Sequence, residues 1–558
     1  MELNSNTTTP LKRFINLLKM DKKDIYQVFF YAIFSGIVSL SLPLGVQAII
    51  NLIQGGRVSL SWIILVTVVL LGIIFNGILR LMQLRITESI QQKIFIRSSF
   101  EFTFRFPKIK YTEFNNNYPP ELANRFFDTI TVQKSVAKLI LDYSESLLQI
   151  VFGLLLLSIY HPLFILFGLL LFIVLYLIFR ISFENGLKTS LTESKYKYKV
   201  AHWIQEIARN YFGFKSKIES EFALSKNDKL VTEYLKSRES HFEVIKRQFI
   251  QLIGFKALIS AGLLLIGGYL VIQQQLNIGQ FVAAEIIILL VINSVEKIIV
   301  GLETFYDVLT SIEKIGQVVD MEIEEEDNSE STYCYKNIQF EIDQLNFAFP
   351  DSNKKILNSI SLNIKQGEKI YLDGKNGSGK TTLLRILAGL IHSNGSSIYI
   401  NDEHYNKINM EQYRSQIGII TEGQTLFEGT IAENITFKNP KIATEKLKLV
   451  LEKIKLTEII KKMPKGLDEK ILTEGKQLPS SLAQKIILAR AIVNDPLVLF
   501  LENPFDKMDD DESKEIIDFI LSNENNWTVI VTSKNNYWKE KCNRIITLDK
   551  GKLISDTK

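Results

Sequence analysis

Six apolar runs punctuate the first three hundred residues of this chain, at about 28–53, 62–84, 147–160, 163–179, 252–272 and 281–300. A helix needs about 20 apolar residues to cross the hydrocarbon core of a bilayer. Lipid offers no hydrogen bond to a bare backbone, so runs of this length fold as membrane-spanning helices. The third and fourth are separated only by His161-Pro162, a tight reversal, and together they are too long and apolar for one core helix of a soluble protein. A bundle of six crossings is the expected architecture of this half.

Lysine and arginine give the orientation, because connections on the cytosolic side collect them. Arg85, Lys93, Arg97, Arg105, Lys108, Lys110 and Arg125 lie between the second and third runs. Lys188, Lys195, Lys197, Lys199, Lys215 and Lys217 lie between the fourth and fifth. On the other side Arg57 is the only basic residue of the first turn, and Tyr160-His161 and residues 273–277 carry none. Both termini are therefore expected in the cytosol. The stretches 85–145 and 180–251 are too rich in apolar and aromatic residues for disordered linkers and read as helices that continue past the membrane. Glu285 sits inside the last run, where a carboxylate either faces a cavity or partner or reaches water at the outer interface. Lys256, near the opposite membrane surface, is not expected to pair with it.

At 558 residues the chain is long enough for two or three domains. Its formal net charge of +4 is small for that length and gives no reason to expect a nucleic-acid partner. The two cysteines, Cys334 and Cys542, are isolated and suggest neither a disulfide framework nor a zinc site. Residues 1–26 are polar and lysine-rich and do not read as a removable signal peptide. The acidic stretch within 320–334 reads as a solvated linker, which leaves a membrane part at 27–319 and a second domain at 335–558.

In that second domain, Gly374-Lys375-Asn376-Gly377-Ser378-Gly379-Lys380-Thr381-Thr382 follows a short apolar run at 369–373 and precedes a helical pattern at 383–390. Glycines in this spacing leave backbone N–H groups free to face phosphate oxygens, and the following helix adds its positive end. Lys380 is placed for the β- and γ-phosphates of a nucleoside triphosphate and Thr381 for a Mg²⁺ ion. The frame is a strand, a loop and a helix, as in an α/β P-loop domain.

Membrane spans followed by such a domain resemble an ATP-binding cassette (ABC) half-transporter of the exporter type. Further motifs of that family fall in order. Phe349, in Leu345-Asn-Phe-Ala-Phe349-Pro350, matches the adenine-stacking aromatic; Phe427-Glu-Gly-Thr430-Ile-Ala-Glu-Asn434 matches the stretch after the glutamine loop. Leu488-Ala-Arg490-Ala491 and Asp495-Pro496 match the helix and turn before the second carboxylate strand, and Asp509 matches the aspartate of the dimer-contacting loop. In the cytosolic excursions, Glu121 to Asp128 and Trp203-Ile-Gln-Glu206 resemble the family's coupling segments. Leu42-Pro-Leu-Gly45-Val-Gln47-Ala-Ile-Ile-Asn51 is similar in wording to transporters of type I secretion systems, with no room expected before Val28 for the peptidase-like domain some of them carry.

Against that pattern four places depart. Leu478-Pro479-Ser480-Ser481-Leu482 stands where the family has Leu-Ser-Gly-Gly-Gln, the signature that grasps the opposite subunit's γ-phosphate. Pro479 cannot donate an N–H, and Ser480 and Ser481 lose the close approach of glycine. Glu502-Asn503 replaces Asp-Glu: Glu502 is left at the magnesium-water position, and Asn503, at the general-base position, cannot take a proton. Lys534 replaces the switch histidine, and Glu422 the glutamine that senses magnesium and water, with Gln424 two residues later as a substitute. ATP binding is expected to be retained and hydrolysis to be slow or undetectable.

The resemblance implies an exporter subunit working by alternating access with ATP and Mg²⁺, in a homodimer or a heterodimer with another half-transporter. It further implies a multi-pass protein of a bacterial inner membrane, with an adaptor (membrane fusion) protein and an outer-membrane channel as partners. The alternative is an ATP-sensing membrane scaffold or regulatory half that does not itself pump.

Overall fold

The computed structural model describes residues 9–55, 60–114, 117–217, 220–324, 335–349, 354–393 and 397–558. Arg57, Cys334, Pro350 and the acidic stretch at 325–334 lie outside the described residues. The chain divides into two compact units, Met1–Lys108 with Asn117–Met321, and Ile109–Asn116 with Glu322–Lys558.

The first unit is helical: α1 (Pro10–Met20), α2 (Lys22–Ser39), α3 (Ser41–Gln54), α4 (Leu60–Arg105), α5 (Pro119–Ala123), α6 (Asp128–Tyr160), α7 (Leu163–Arg209), α8 (Tyr211–Lys215), α9 (Phe222–Ile272) and α10 (Ile278–Val319). Among the described residues six helical segments are long and apolar enough to cross a membrane, and each contains one of the six runs. The first is made of α2 and α3, which meet at Leu40, and Pro43 sits in the opening turn of α3, where its missing N–H costs no helical bond. With 51 residues at 1.5 Å each, α9 is about 77 Å long, more than twice a hydrocarbon core of about 30 Å. The polar ends of α4, α6, α7 and α9 therefore extend beyond any bilayer, as the lysine-rich stretches of the sequence require.

Close packing within this unit relies on small residues. A Cβ on Gly301 would lie 2.7 Å from the Tyr143 ring, and Tyr143 donates its hydroxyl to the carbonyl of Ile298, 3.3 Å away. The ends of the unit are tied by Phe14, edge-on to Phe305, and by Arg13, which is hydrogen-bonded to Asp320. Several charges in or beside the apolar runs are paired, because an isolated ion there is costly. Lys256 meets Glu296 at 2.7 Å, and buried Glu145 meets Lys297 at 3.2 Å and Arg80 at 3.8 Å. Glu285 is exposed on the unit's surface. In the stretches between the second and third and between the fourth and fifth runs, the Arg125 guanidinium stacks 3.6 Å from the Tyr198 ring, Tyr198 donates to Asp128, and Trp203 is buried with its indole N–H on the carbonyl of Ala223.

The second unit is α/β. Its elements are β1 (Phe340–Phe347), β2 (Leu357–Ile364), β3 (Lys369–Asp373), α11 (Lys380–Leu387), β4 (Ser397–Ile400), β5 (Glu403–His404), α12 (Met410–Ser415), β6 (Ile417–Ile420), β7 (Gly429–Thr430) and α13 (Ile431–Thr436). They continue as α14 (Thr444–Lys453), α15 (Thr457–Lys461), β8 (Lys470–Ile471), α16 (Ser480–Ile492), β9 (Val498–Glu502), α17 (Asp510–Leu521), β10 (Thr528–Thr532), α18 (Asn536–Lys541), β11 (Arg544–Asp549) and β12 (Lys552–Thr557).

Six strands form one sheet in the order β12-β11-β3-β10-β9-β6, parallel except for the edge strand β12. A smaller antiparallel sheet runs β2-β1-β4-β5. The central strands β3, β9 and β10 are buried along nearly their whole length, which is why they read as unbroken apolar runs rather than alternating ones. Parallel strands present their C-terminal ends side by side, and ligands of such sheets bind there.

Glycine 301 offers a test of the packing. Gly301→Ala forces the Tyr143 ring to move and is expected to cost about 1–3 kcal/mol, seen as a lower melting temperature in detergent. Gly254→Ala, which meets nothing within 4 Å, should leave the melting temperature unchanged or raise it.

Candidate nucleotide site

The loop Gly374 to Gly379 joins β3 to α11 through a backbone that only glycine adopts freely. Gly374, Gly377 and Gly379 have φ of 140°, 79° and 102°. A Cβ on Gly374 would strike the Leu548 carbonyl oxygen at 2.2 Å, and one on Gly379 the Leu357 side chain at 2.7 Å. Nothing lies within 4 Å of the Cβ position at Gly377, so that glycine serves conformation and not packing.

A cavity of about 540 Å³ opens over this loop, lined by Asn376 to Thr382 and by the residues at the ends of neighbouring strands: Asp373, Glu422, Asn503, Thr532, Ser533 and Lys534. The Lys380 ammonium curls back over the loop and donates to the carbonyls of Gly374 at 2.6 Å and Lys375 at 3.0 Å. Burial lowers its pKa, with the Asp373 charge opposing the shift. Asp373 itself is held below the usual carboxylate range by Lys539, which donates to it at 2.7 Å. Ser378 Oγ is buried without a hydrogen-bond partner, an unsatisfied group of the kind a bound phosphate oxygen would complete.

The carboxylates around the cavity are already engaged. Glu502, at the end of β9, is 2% exposed and accepts from Arg385 Nη2 at 2.8 Å and Nε at 3.2 Å. It also accepts the backbone N–H of Glu422 at 3.3 Å. Arg385 stands one helical turn after Thr381 on α11 and donates its other nitrogen to the Tyr111 hydroxyl at 3.2 Å, within the same unit. Asn503 has φ of 43°, in the left-handed region that asparagine tolerates, and its amide donates to the Glu422 carboxylate at 3.0 Å. Gln424 turns its side-chain oxygen back to the N–H of Thr421 at 3.4 Å.

Sequence reasoning therefore names a set that the fold divides. The phosphate loop, Thr381, Glu422, Asn503 and Lys534 meet around one cavity. A neighbouring cavity of about 530 Å³ is lined by Glu422, Asn503, Glu502, Gln424 and Ser480. Pro479 caps α16 in extended backbone, with Ser480 and Ser481 in its first turn. Phe349 packs edge-on to Phe347, with ring centres 5.1 Å apart, and Asp509 is exposed at the start of α17. Arg385 was missed; its spacing four residues after Thr381 on a helix was the available signal.

A divalent ion here would draw on a mixed set of oxygen donors. Magnesium binds through oxygen ligands in a near-octahedral shell and takes one or two carboxylates. Thr381, Asp373 and Glu422 line the cavity, and Glu502 accepts from Arg385 and Glu422 from Asn503 through one carboxylate oxygen each.

Residues 357–506 match the family profile described as ABC transporter. The chain carries an ABC transporter domain. It is 29% identical over 317 residues to the leukotoxin export ATP-binding protein LtxB of Aggregatibacter actinomycetemcomitans, covering 56% of this chain and 44% of that protein. It is 26% identical over 314 residues to the alpha-hemolysin translocation ATP-binding protein HlyB of Escherichia coli, covering 56% and 44%. An ATP-dependent lipid A-core flippase of Desulfotalea psychrophila is 24% identical over 322 residues, covering 57% and 55%. In these matches the chain spans about half the length of its curated relatives. A solved structure of a bacterial Atm1-family ABC exporter with ATP bound superposes with a TM-score of 0.84 at 15% identity, covering 96% of this chain and 95% of that one. That likeness establishes the ABC exporter fold, six membrane helices followed by the cassette.

The Asn503–Glu422 contact bears on any carboxylate placed at position 503. Asn503→Glu alone sets two carboxylates against each other, which disfavours the geometry that Asn503 now holds. The double variant Asn503→Glu with Glu422→Gln is expected to release phosphate from ATP about tenfold faster than Asn503→Glu alone, and equal rates would contradict the coupling of the two positions.

Proposed function

We propose that this chain is one subunit of a dimeric ABC exporter whose own phosphate loop binds ATP and turns it over slowly. The observation that carries this is the contrast within one site. The glycine loop, Lys380 and the unsatisfied Ser378 hydroxyl keep a cradle for phosphate, while the general-base position holds Asn503, tied to Glu422. Loss of a positioned general base removes on the order of 10² to 10⁴ in rate.

In this reading ATP binding closes two cassettes and turns the bundle from inward-open to outward-open. The Arg385 link from Glu502 to Tyr111 would pass part of that change along, since Tyr111 lies in the connection that follows α4 in the chain. A second subunit matters because each ATP in such a dimer lies between one phosphate loop and the other subunit's signature. An intact partner would supply a signature to this chain's loop, but Asn503 would remain. The partner's own site would meet Pro479, Ser480 and Ser481. Either dimer thus has impaired sites.

The similarity to leukotoxin and alpha-hemolysin export proteins favours a type I secretion role, with an adaptor protein and an outer-membrane channel as partners in a bacterial inner membrane. The six spans and the lysine-rich connections support a multi-pass protein with the cassette and both termini in the cytosol.

In lipid discs, the purified chain is expected to bind ATP and to hydrolyse it well below about 1 s⁻¹, the lower end of ordinary enzyme turnover. Lys380→Ala should abolish binding in isothermal titration. Turnover at or above that rate would contradict slow hydrolysis, and undiminished binding by Lys380→Ala would contradict the placement of the phosphates.

A further inference from the structure

Helix α10 has one exposed stripe along the last apolar run, and it is acidic where lipid would require it to be apolar. Between Phe281 and Asp307 the exposed residues are Glu285, Leu289, Asn293, Val300 and Asp307, and half-buried Glu296 and Glu303 fall on the same side. Steps of three and four residues keep all of them within about 80° of the helix circumference. From Glu285 to Asp307 the stripe rises about 33 Å at about 1.5 Å per residue. That exceeds a hydrocarbon core of about 30 Å.

A lipid-facing surface looks different in the same unit. The exposed residues of α7 from Leu163 to Phe179 are apolar apart from Tyr176. Carboxylates within a membrane span face a water-filled path or a partner rather than lipid. In a two-fold dimer this stripe would meet its own copy, and two facing rows of carboxylates repel unless water or cations lie between them.

The negative charge is only partly compensated. Glu296 meets Lys256 at 2.7 Å, and Glu303 lies 3.9 Å from Arg238, which Glu193 also engages at 3.3 Å. Glu285 and Asp307 have no ion pair or hydrogen bond among the described residues. Cationic groups passing along the stripe would therefore meet open carboxylates near both of its ends.

We propose that the exposed stripe of α10 lines the export path and that the path takes a basic polypeptide segment, whose lysines or arginines pass from one carboxylate to the next. A chain-like cation fits better than a small one, because the carboxylates stand at four levels and an extended peptide of about ten residues spans about 33 Å. The inference rests on the exporter reading above and names its substrate class.

Fluorescence polarisation tests it, with two labelled ten-residue peptides, one alternating lysine and alanine and the other glutamate and alanine. Each is titrated with the nucleotide-free full chain in discs of zwitterionic lipid, with empty discs subtracted. The lysine peptide should bind at least about tenfold tighter than the glutamate peptide. In the double variant Glu285→Gln with Asp307→Asn that ratio should fall below about threefold. Equal binding of the two peptides, binding of neither, or full discrimination kept by the double variant would overturn the inference. ATP titrated into the same discs reads the nucleotide site separately. Loss of peptide discrimination with ATP binding intact counts against the inference alone, and loss of both takes the exporter reading with it. The two-peptide comparison uses the unaltered protein, so the test stands even if the double variant fails to fold.

Discussion

Glu502 is the last residue of a fully buried strand, and its charge has to be satisfied where water does not reach. Arg385 satisfies it, and much of the site's chemistry follows from that one ion pair. The pair fixes one oxygen of the carboxylate on the Arg385 guanidinium of α11. It leaves the backbone N–H of Glu422 as a further donor to the same oxygen, so the loop after β6 is moored to the end of β9. With that loop in place, the Glu422 carboxylate meets Asn503. Arg385, Glu502, Glu422 and Asn503 thereby form one hydrogen-bonded set.

The phosphate loop does not share this fate. Its conformation depends on glycines at positive φ and on the close approach of Leu548 and Leu357, none of which involves Glu502. In the proposed function, grip on a triphosphate and activation of water are thus built from separable parts. A chain can lose the second while the first is held by backbone geometry.

The phosphate loop and its strand and helix were legible in the sequence because they depend on neighbours in the chain, with glycine spacing, an apolar strand and a helix start all within about twenty residues. Six spans were equally legible, since apolar length alone specifies them. Long-range partners were not. Arg385 and Glu502 are 117 residues apart, and only the ordering of parallel strands brings them together. The pairing of Lys256 with Glu296 was not legible for a related reason: a run that is apolar around its whole circumference does not reveal which way a charged residue on it turns. The break between α2 and α3 at Leu40 and the packing of Arg13 onto α10 also depend on tertiary contacts that no local pattern announces.

A single-turnover measurement tests the central claim most directly. The purified chain in lipid discs is loaded with radiolabelled ATP, unbound nucleotide is removed, and the bound label is followed over time. A site that grips without activating water will release mostly intact ATP. Bound label that converts to ADP and phosphate before it can dissociate would contradict the account.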